Sequence, residues 1–549
     1  MQPKGPTEGN SLRPGLVFDD AARDDALGTH IGQRESTTML QAFPSRRSGE
    51  PSRTGVTSNR HFTKGGCRSA RGTYGVVALL LLAICCPASA AAPDRRPNFV
   101  VVLCDDLGYG DLGCFGSPII RTPNVDRFRQ QSLKLNAFYA TSCCSPSRAA
   151  LITGRMPYRA GIYDWIAEGS PVNLPRSEIS IATLLRSAGY ATCHVGKWHL
   201  NGRMDDPQET TPGDHGFDHW FSTQNIAEPS HHNPVNFYRN GKAVGPLTGY
   251  AADLVADEAI GWLEHLPAGK PFCLFVWFHE PHEFIATAPE YQRLYPNVDK
   301  PERAEYYGNI TQMDAAFGRL IQTLDRRGPT DNTLVLFTSD NGPANRVKHP
   351  YGSSGPFRGA KGEVYEGGIR VPGLLRFPGR AAAGQQCDEP LSLADVLPTL
   401  CTLAGIAAPA DRVIDGADFA PIFAGRPIER KRPLYWQYNR AVSPNKVALR
   451  SGDWKLLAQL TGPELKGAAG QRPGELEIQR SAELSTFELY NLADDPAEKI
   501  DLASSQPEQL ARMLALVKPI YHEIRAAGPD WPAWVRPKGW RPAGSQAAR

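Results

Sequence analysis

The sequence predicts an α/β protein built on a sheet with crossover helices. Short β-rich apolar runs alternate with segments of helical spacing from about residue 95 onward. Four of those runs end in Asp, Asn, Lys or His. Hydrophobic residues make up 41% and charged residues 21% of 549, enough for a large core and too apolar for global disorder. The length fits one large domain or two.

The chain opens differently. Residues 1–75 are rich in Ser, Gly, Arg and Thr without a sustained apolar period, so no fold is assigned to them. Basic residues from Arg53 to Arg71 then lead into "VVALLLLAI" (Val76 to Ile84), and "ASA" ends at Ala90. A basic flank, a short apolar core and an A-x-A site read as a signal peptide over 76–90, and hence export to the periplasm or outside the cell. Nine apolar residues are too few to cross a hydrocarbon core of ~30 Å as a helix, so no membrane span is expected. The first 90 residues hold 11 Lys+Arg and 7 Asp+Glu, which leaves 49 and 50 in the remainder. A near-neutral body gives no reason to expect nucleic acid as a partner. Beyond the leader, Cys104, Cys114, Cys143, Cys144, Cys193, Cys273, Cys387 and Cys401 are too sparse for a disulfide scaffold and lack C-x-x-C zinc spacing. One or two disulfides stay open.

The strands follow in order. "NFVVVLC" (Asn98 to Cys104) ends in Asp105-Asp106; "YATCHV" (Tyr190 to Val195) runs into "GKWH" with Lys197 and His199. "PFCLFVWF" (Pro271 to Phe278) runs into "HEPH" with His279 and His282, and "NTLVLFT" (Asn332 to Thr338) into Asp340-Asn341. Ligands of open α/β sheets bind outside the carboxyl ends of the strands, so these four ends suggest one converging site. Asp105, Asp106, Asp340 and Asn341 offer oxygens alone, which favours Ca²⁺ or Mg²⁺ over zinc. Each signal has a plainer alternative: "SDNG" is also a common turn, and the lysine and histidines suit a surface or a packed loop.

"CCSPSRAALITGR" (Cys143 to Arg155) carries the next signal. Ser145 suits a helix cap, Pro146 the first helical position and Gly154 the stop. Cys144 is then expected at a helix N-terminus, where amides and the dipole stabilise an anion within reach of Arg148. A thiolate nucleophile and a buried structural cysteine are both consistent with that place. Only three residues separate Cys144 from Arg148, whereas a cysteine-phosphatase loop has five.

"CSPSRAALITGR" resembles the signature of the type I sulfatases: Cys, any residue, Pro-Ser-Arg, then Thr-Gly-Arg. "DDLGYGDLGCFGS", "TPNVDRF", "VGKWHLNG", "DHGFDHWF", "TSDNGP", "FRGAKGEVYEGGIRVP", "DVLPTL" and "LYNLADDPAEKIDLA" follow in that family's order, over about residues 95 to 505. Cys104 and Ser132 depart from the usual residues at their places and touch none of the implied chemistry. The resemblance is to the arylsulfatase A and N-acetylgalactosamine-6-sulfatase types. It implies that Cys144 is oxidised by a maturation enzyme to formylglycine. One hydroxyl of the hydrated aldehyde attacks sulfur, and deprotonation of the other expels sulfate, which divides one difficult step into two. It further implies that Asp105, Asp106, Asp340 and Asn341, with Cys144 itself, hold a divalent cation, normally calcium. Arg148 would hold the hydrate, Lys197 and Lys361 would clamp sulfate, and His199 would act as base. His279 would contact sulfate and protonate the leaving alcohol, with His282 as the competing candidate.

The resemblance also implies an alkaline-phosphatase-like α/β/α sandwich with a large mixed sheet over residues 94–432. A smaller C-terminal subdomain over 433–549 is expected to pair strands about a turn at Ser451-Gly452-Asp453 and to carry a helix over Gln506 to Ala526. The expected substrate is a sulfated carbohydrate or aryl sulfate, met partly by the loop Gln224 to Lys242 with His231, His232 and Tyr238. Two other functions share these residues: a phosphate ester hydrolase of the same fold, and a non-catalytic binder of sulfated glycans.

Overall fold

In the computed structural model the described residues are 96–327, 332–346, 349–465 and 472–537, all within the unit Pro87–Arg549. The expected signal peptide lies outside them. The first strand, Asn98–Cys104, is the middle of a ten-stranded mixed sheet. It pairs in parallel with Phe272–Trp277 on one side and Thr333–Ser339 on the other. Ala191–Lys197 and then His219–Thr223 extend the parallel set beyond Phe272–Trp277. Gly373–Arg376 runs antiparallel to Thr333–Ser339, and Leu133–Leu135 and Gln386–Cys387 complete that edge. Tyr238–Arg239 and Lys242–Ala243 form the other.

The unbroken apolar run of the first strand has a direct cause. Phe99, Val101 and Leu103 enter one core, and Val100, Val102 and Cys104 enter the other. The first core is closed by Cys144–Thr153, Ile181–Ser187 and Val396–Ala404 through Leu151, Leu185 and Leu400. The second is closed by Pro123–Gln130, Ala251–His265 and Pro301–Arg326 through Phe128, Val255 and Phe317. A parallel strand covered on both faces has no solvent side to keep polar. Each such large apolar side chain contributes about 1.5–3 kcal/mol of burial.

The four strands read from sequence are therefore neighbours whose carboxyl ends open on one edge. The C-terminal part is a four-stranded antiparallel sheet, Leu434–Gln437, Val447–Ser451, Trp454–Leu460 and Leu484–Asn491. Its hairpin turns on Gly452 at φ 59 with Asp453, one residue shorter than expected. Helix Pro507–Ala526 covers one face through Met513, Val517 and Tyr521. The other face, with Trp436, Leu457 and Tyr490, packs against Tyr139, Cys143 and Cys144. The second sheet thus gives the Cys144 turn a physical support.

The start of helix Cys144–Thr153 differs from expectation. It begins at Cys144 with Cys143 as the extended N-cap, and Pro146 is its third residue. Ser145 makes no cap; its hydroxyl accepts from the Ile166 amide at 3.0 Å. Gly154 ends the helix at φ 68, its amide donating to the Ala150 carbonyl, as expected. The eight cysteines from Cys104 to Cys401 are all free thiols.

Candidate active site

The strand ends deliver the polar groups of the site. Asp105 follows Cys104, and its amide donates to the Glu280 carbonyl at 3.1 Å. Asp106 takes φ 63, a left-handed conformation that costs a non-glycine residue on the order of 1–3 kcal/mol and turns its carboxylate beside that of Asp105. The Asp340 amide donates to the Cys104 carbonyl at 3.1 Å, which ties the neighbouring strand end to the first. Lys197 closes the strand Ala191–Lys197.

Three carboxylates meet three cations, all buried. Lys197 Nζ lies 2.5 Å from Asp105 Oδ2, and Lys361 Nζ 2.5 Å from Asp106 Oδ1. Arg148 grips Asp340 Oδ2 through Nε at 3.1 Å and Nη2 at 2.7 Å, and donates to the Lys197 carbonyl at 2.6 Å. Burial alone would raise the Asp105 carboxyl, but the charges of Lys197, His282 and Arg148 override it and hold it below the ordinary carboxylate range.

Those pairs leave oxygens over. Asp105 Oδ1, Asp106 Oδ2 and Asn341 Oδ1 are buried without a hydrogen-bond partner, while Asn341 Nδ2 donates to Asp106 Oδ1 at 2.7 Å. Asp105, Asp106 and His282 offer ligand atoms within 4.8 Å of one another. Buried carboxylate oxygens without partners are costly, and a hard cation satisfies them. The donor set fits a calcium- or magnesium-type ion.

Cys144 lines a cavity of about 400 Å³, together with His199, His282 and Lys361. Burial raises its thiol, but the Cys143 hydrogen bond, the neighbouring His199 ring and the charges of Lys197 and Lys361 bring it well below the ordinary thiol range. His199 has φ 54 and donates Nε2–H to the Ile166 carbonyl at 3.0 Å. That bond fixes the tautomer and leaves Nδ1 unprotonated and unpartnered. Burial lowers the ring to about 4, so it is a neutral acceptor at neutral pH.

The two histidines of "HEPH" part company. His282 lines the cavity with Nε2 3.7 Å from Asp106 Oδ2. His279 is not among the lining residues, and its Nε2 is 2.8 Å from the Thr223 hydroxyl. Of the loop Gln224 to Lys242, the lining residues are Gln224, Asn225, Ile226, Glu228 and Asn236. The expected His231, His232 and Tyr238 do not line it. His231 is buried 3.6 Å from Glu280, His232 stacks on Tyr250 at 4.6 Å, and Tyr238 lies in the last strand but one of the large sheet. The expected loop begins at Gln224, which does line the cavity, but leaves out Thr223 beside it. The polar "STQN" that ends the fifth parallel strand is the signal that marks them.

Comparison with known proteins follows this geometry. Residues 97–406 match the sulfatase family, and 359–464 match the C-terminal family of N-sulphoglucosamine sulphohydrolase. N-acetylgalactosamine-6-sulfatase of Canis lupus familiaris is 32% identical over 81% of this chain and 89% of its own. Arylsulfatase A of Homo sapiens is 32% identical over 80% and 90%. Among solved structures, Ps i-CgsB in complex with k-i-k-neocarrahexaose superposes with a TM-score of 0.69 at 27% identity, over 80% of this chain and 95% of that one. The PsFucS1 sulfatase from Pseudoalteromonas sp. gives 0.64 at 26%, over 80% and 92%.

Proposed function

The chain belongs to the sulfatase family, and from that premise we propose that it hydrolyses a sulfate monoester of a carbohydrate through a formylglycine made from Cys144, with a divalent cation bound beside it. The observation that carries this reading is Cys144 at a helix N-terminus in the cavity wall, with the free Nδ1 of His199 and the ammonium of Lys361 lining the same space.

Formylglycine supplies a hydrated aldehyde in place of a thiol, and its formation requires the maturation enzyme as a partner. Asp105, Asp106, Asp340 and Asn341 would hold the cation, which supplies polarisation of a sulfate oxygen. The chain's own residues do the rest. Lys197 and Lys361 bind sulfate oxygens, their ion pairs with Asp105 and Asp106 keeping both ammonium groups aimed at the site. Arg148, buried and fixed by Asp340, orients the group at position 144. His199 accepts a proton at Nδ1. We assign the leaving-group proton to His282, which lines the cavity, rather than to His279. Export on the Val76–Ala90 segment belongs to the same reading, and among the described residues no helix is long and apolar enough to cross a membrane.

Protein co-expressed with a maturation enzyme is expected to cleave 4-nitrophenyl sulfate and sulfated monosaccharides, and Cys144→Ala to abolish both activities. Faster cleavage of 4-nitrophenyl phosphate than of the sulfate would instead favour a phosphate ester hydrolase. Tight binding of sulfated sugars without turnover by the matured protein would favour a glycan binder.

A further inference from the structure

Beyond the sulfate-binding end, the cavity is lined by an apolar set and an acceptor-rich set. Trp165, Phe284 and Val442 form the first. Phe284 and Val442 are 55% and 59% exposed, unusual for side chains of that size, and both stand on this cavity. Gln224, Glu168 and Glu228 belong to the second. Gln224 is 6% exposed; its Nε2 donates to the Asn201 carbonyl at 2.6 Å, and its buried Oε1 has no partner. A buried acceptor on a cavity wall calls for a donor from the ligand. Apolar surface beside such acceptors suits a pyranose, which has a C–H face and a hydroxyl edge.

The cations on this part of the wall are already matched. Arg440 is bound by Asp164 at 3.1 Å and by Glu475 at 2.6 Å. Arg536 acts electrostatically on both Glu168 and Glu228. Burial, and then the charge of Glu228, push Glu168 up to about 8, so at neutral pH it retains its proton and donates as well as accepts. A second sulfate or a carboxylate entering here would lose its hydration, meet the carboxylate of Glu228 and find its cations committed.

Resting on the function proposed above, we propose that Trp165, Gln224, Glu168 and Glu228 form a subsite for an uncharged, hydroxyl-rich sugar ring, so that the preferred substrate is sulfated once and carries no further anion on the ring held there.

The test is titration calorimetry on the Cys144→Ala protein, which cannot be converted or turn over substrate. The probes are the four monosulfates of galactose at positions 2, 3, 4 and 6, and the disulfates that contain the best-bound of them. The best monosulfate is expected to bind about tenfold or more tightly than each such disulfate, a size between that of a like-charge contact in bulk water and that of one near a protein surface. Replacing both acidic side chains (Glu168→Gln with Glu228→Gln) frees Arg536 and is expected to close most of that gap. Equal or tighter binding of a disulfate by the Cys144→Ala protein would overturn the subsite, as would a gap that the double replacement leaves unchanged in a protein with normal unfolding. Because this readout needs no turnover, absence of sulfate hydrolysis by the matured wild type would count against the proposed function and leave the binding ratio to be judged by itself.

Discussion

At the scale of single residues, the site is a charge balance with oxygens left over. Asp105, Asp106 and Asp340 are fully buried, and their lysine and arginine partners do not satisfy Asp105 Oδ1 or Asp106 Oδ2. Chelation is therefore expected to lower the unfolding temperature as well as activity, and added calcium to restore both. A ligand at a hundred times its Kd adds about 2.7 kcal/mol, which differential scanning calorimetry resolves. An unfolding temperature indifferent to chelator, calcium and magnesium would contradict the cation site. A second prediction concerns His215, whose ring burial lowers to about 4 while Nε2 lies 3.2 Å from the Leu174 carbonyl. The unfolded chain takes this proton near the ordinary histidine value and the folded chain only near 4. The residue's contribution is thus full above about 6.5 and is lost as the pH falls toward 4. Urea unfolding of wild type and His215→Gln should show the wild-type advantage shrinking over that interval; a constant difference would refute it.

At the scale of elements, strand ends do the positioning, and that much was legible. "NFVVVLC" and its three partners are continuous apolar runs because both faces of the parallel sheet are covered, and the polar residues that end them stand together because the strands are neighbours. The start of the Cys144 helix was less legible. Pro146 suits the first helical position, but it is equally compatible with the third, where its missing amide hydrogen is still unneeded. His279 and His282 could not be separated from sequence because the turn between them decides which ring reaches the cavity. The two-residue strands, such as Arg370–Val371 and Gln386–Cys387, are too short to show a period. Gly196 gives the prediction at this scale. It has φ 100, and a Cβ there would lie 1.8 Å from the Trp277 carbonyl oxygen of the adjacent strand, one residue before Lys197. Gly196→Ala is expected to cost more than about 3 kcal/mol or to leave no soluble protein. A variant with wild-type unfolding and activity would show that the close approach is dispensable.

At the scale of the whole molecule, the C-terminal sheet is tied to the segment that follows Lys361 by charge as well as by packing. Lys455, on the strand Trp454–Leu460, is fully buried and lies 2.9 Å from both Glu366 and Glu498. Glu366 follows Lys361 by five residues, and Glu498 Oε2 accepts from the Glu366 amide at 2.6 Å. The "DDPAEKID" segment was legible as a sequence motif, but a pairing across 132 residues has no local signal. Lys455→Met leaves buried Glu498 without its cation and Glu366 with Arg370 as its remaining ion pair, and is expected to cost roughly 3–5 kcal/mol in denaturant unfolding, with a fall in turnover as the Lys361 loop loses its anchor. Unchanged stability would argue that the two sheets hold together by packing alone. The proposed function turns on the conversion of Cys144, and the most direct measurement is the mass of the tryptic peptide spanning it, from protein co-expressed with a formylglycine-generating enzyme. The account predicts a peptide about 18 Da lighter than the unmodified sequence, in the fraction that cleaves sulfate esters. An intact thiol at Cys144 in protein that cleaves them equally well would contradict it.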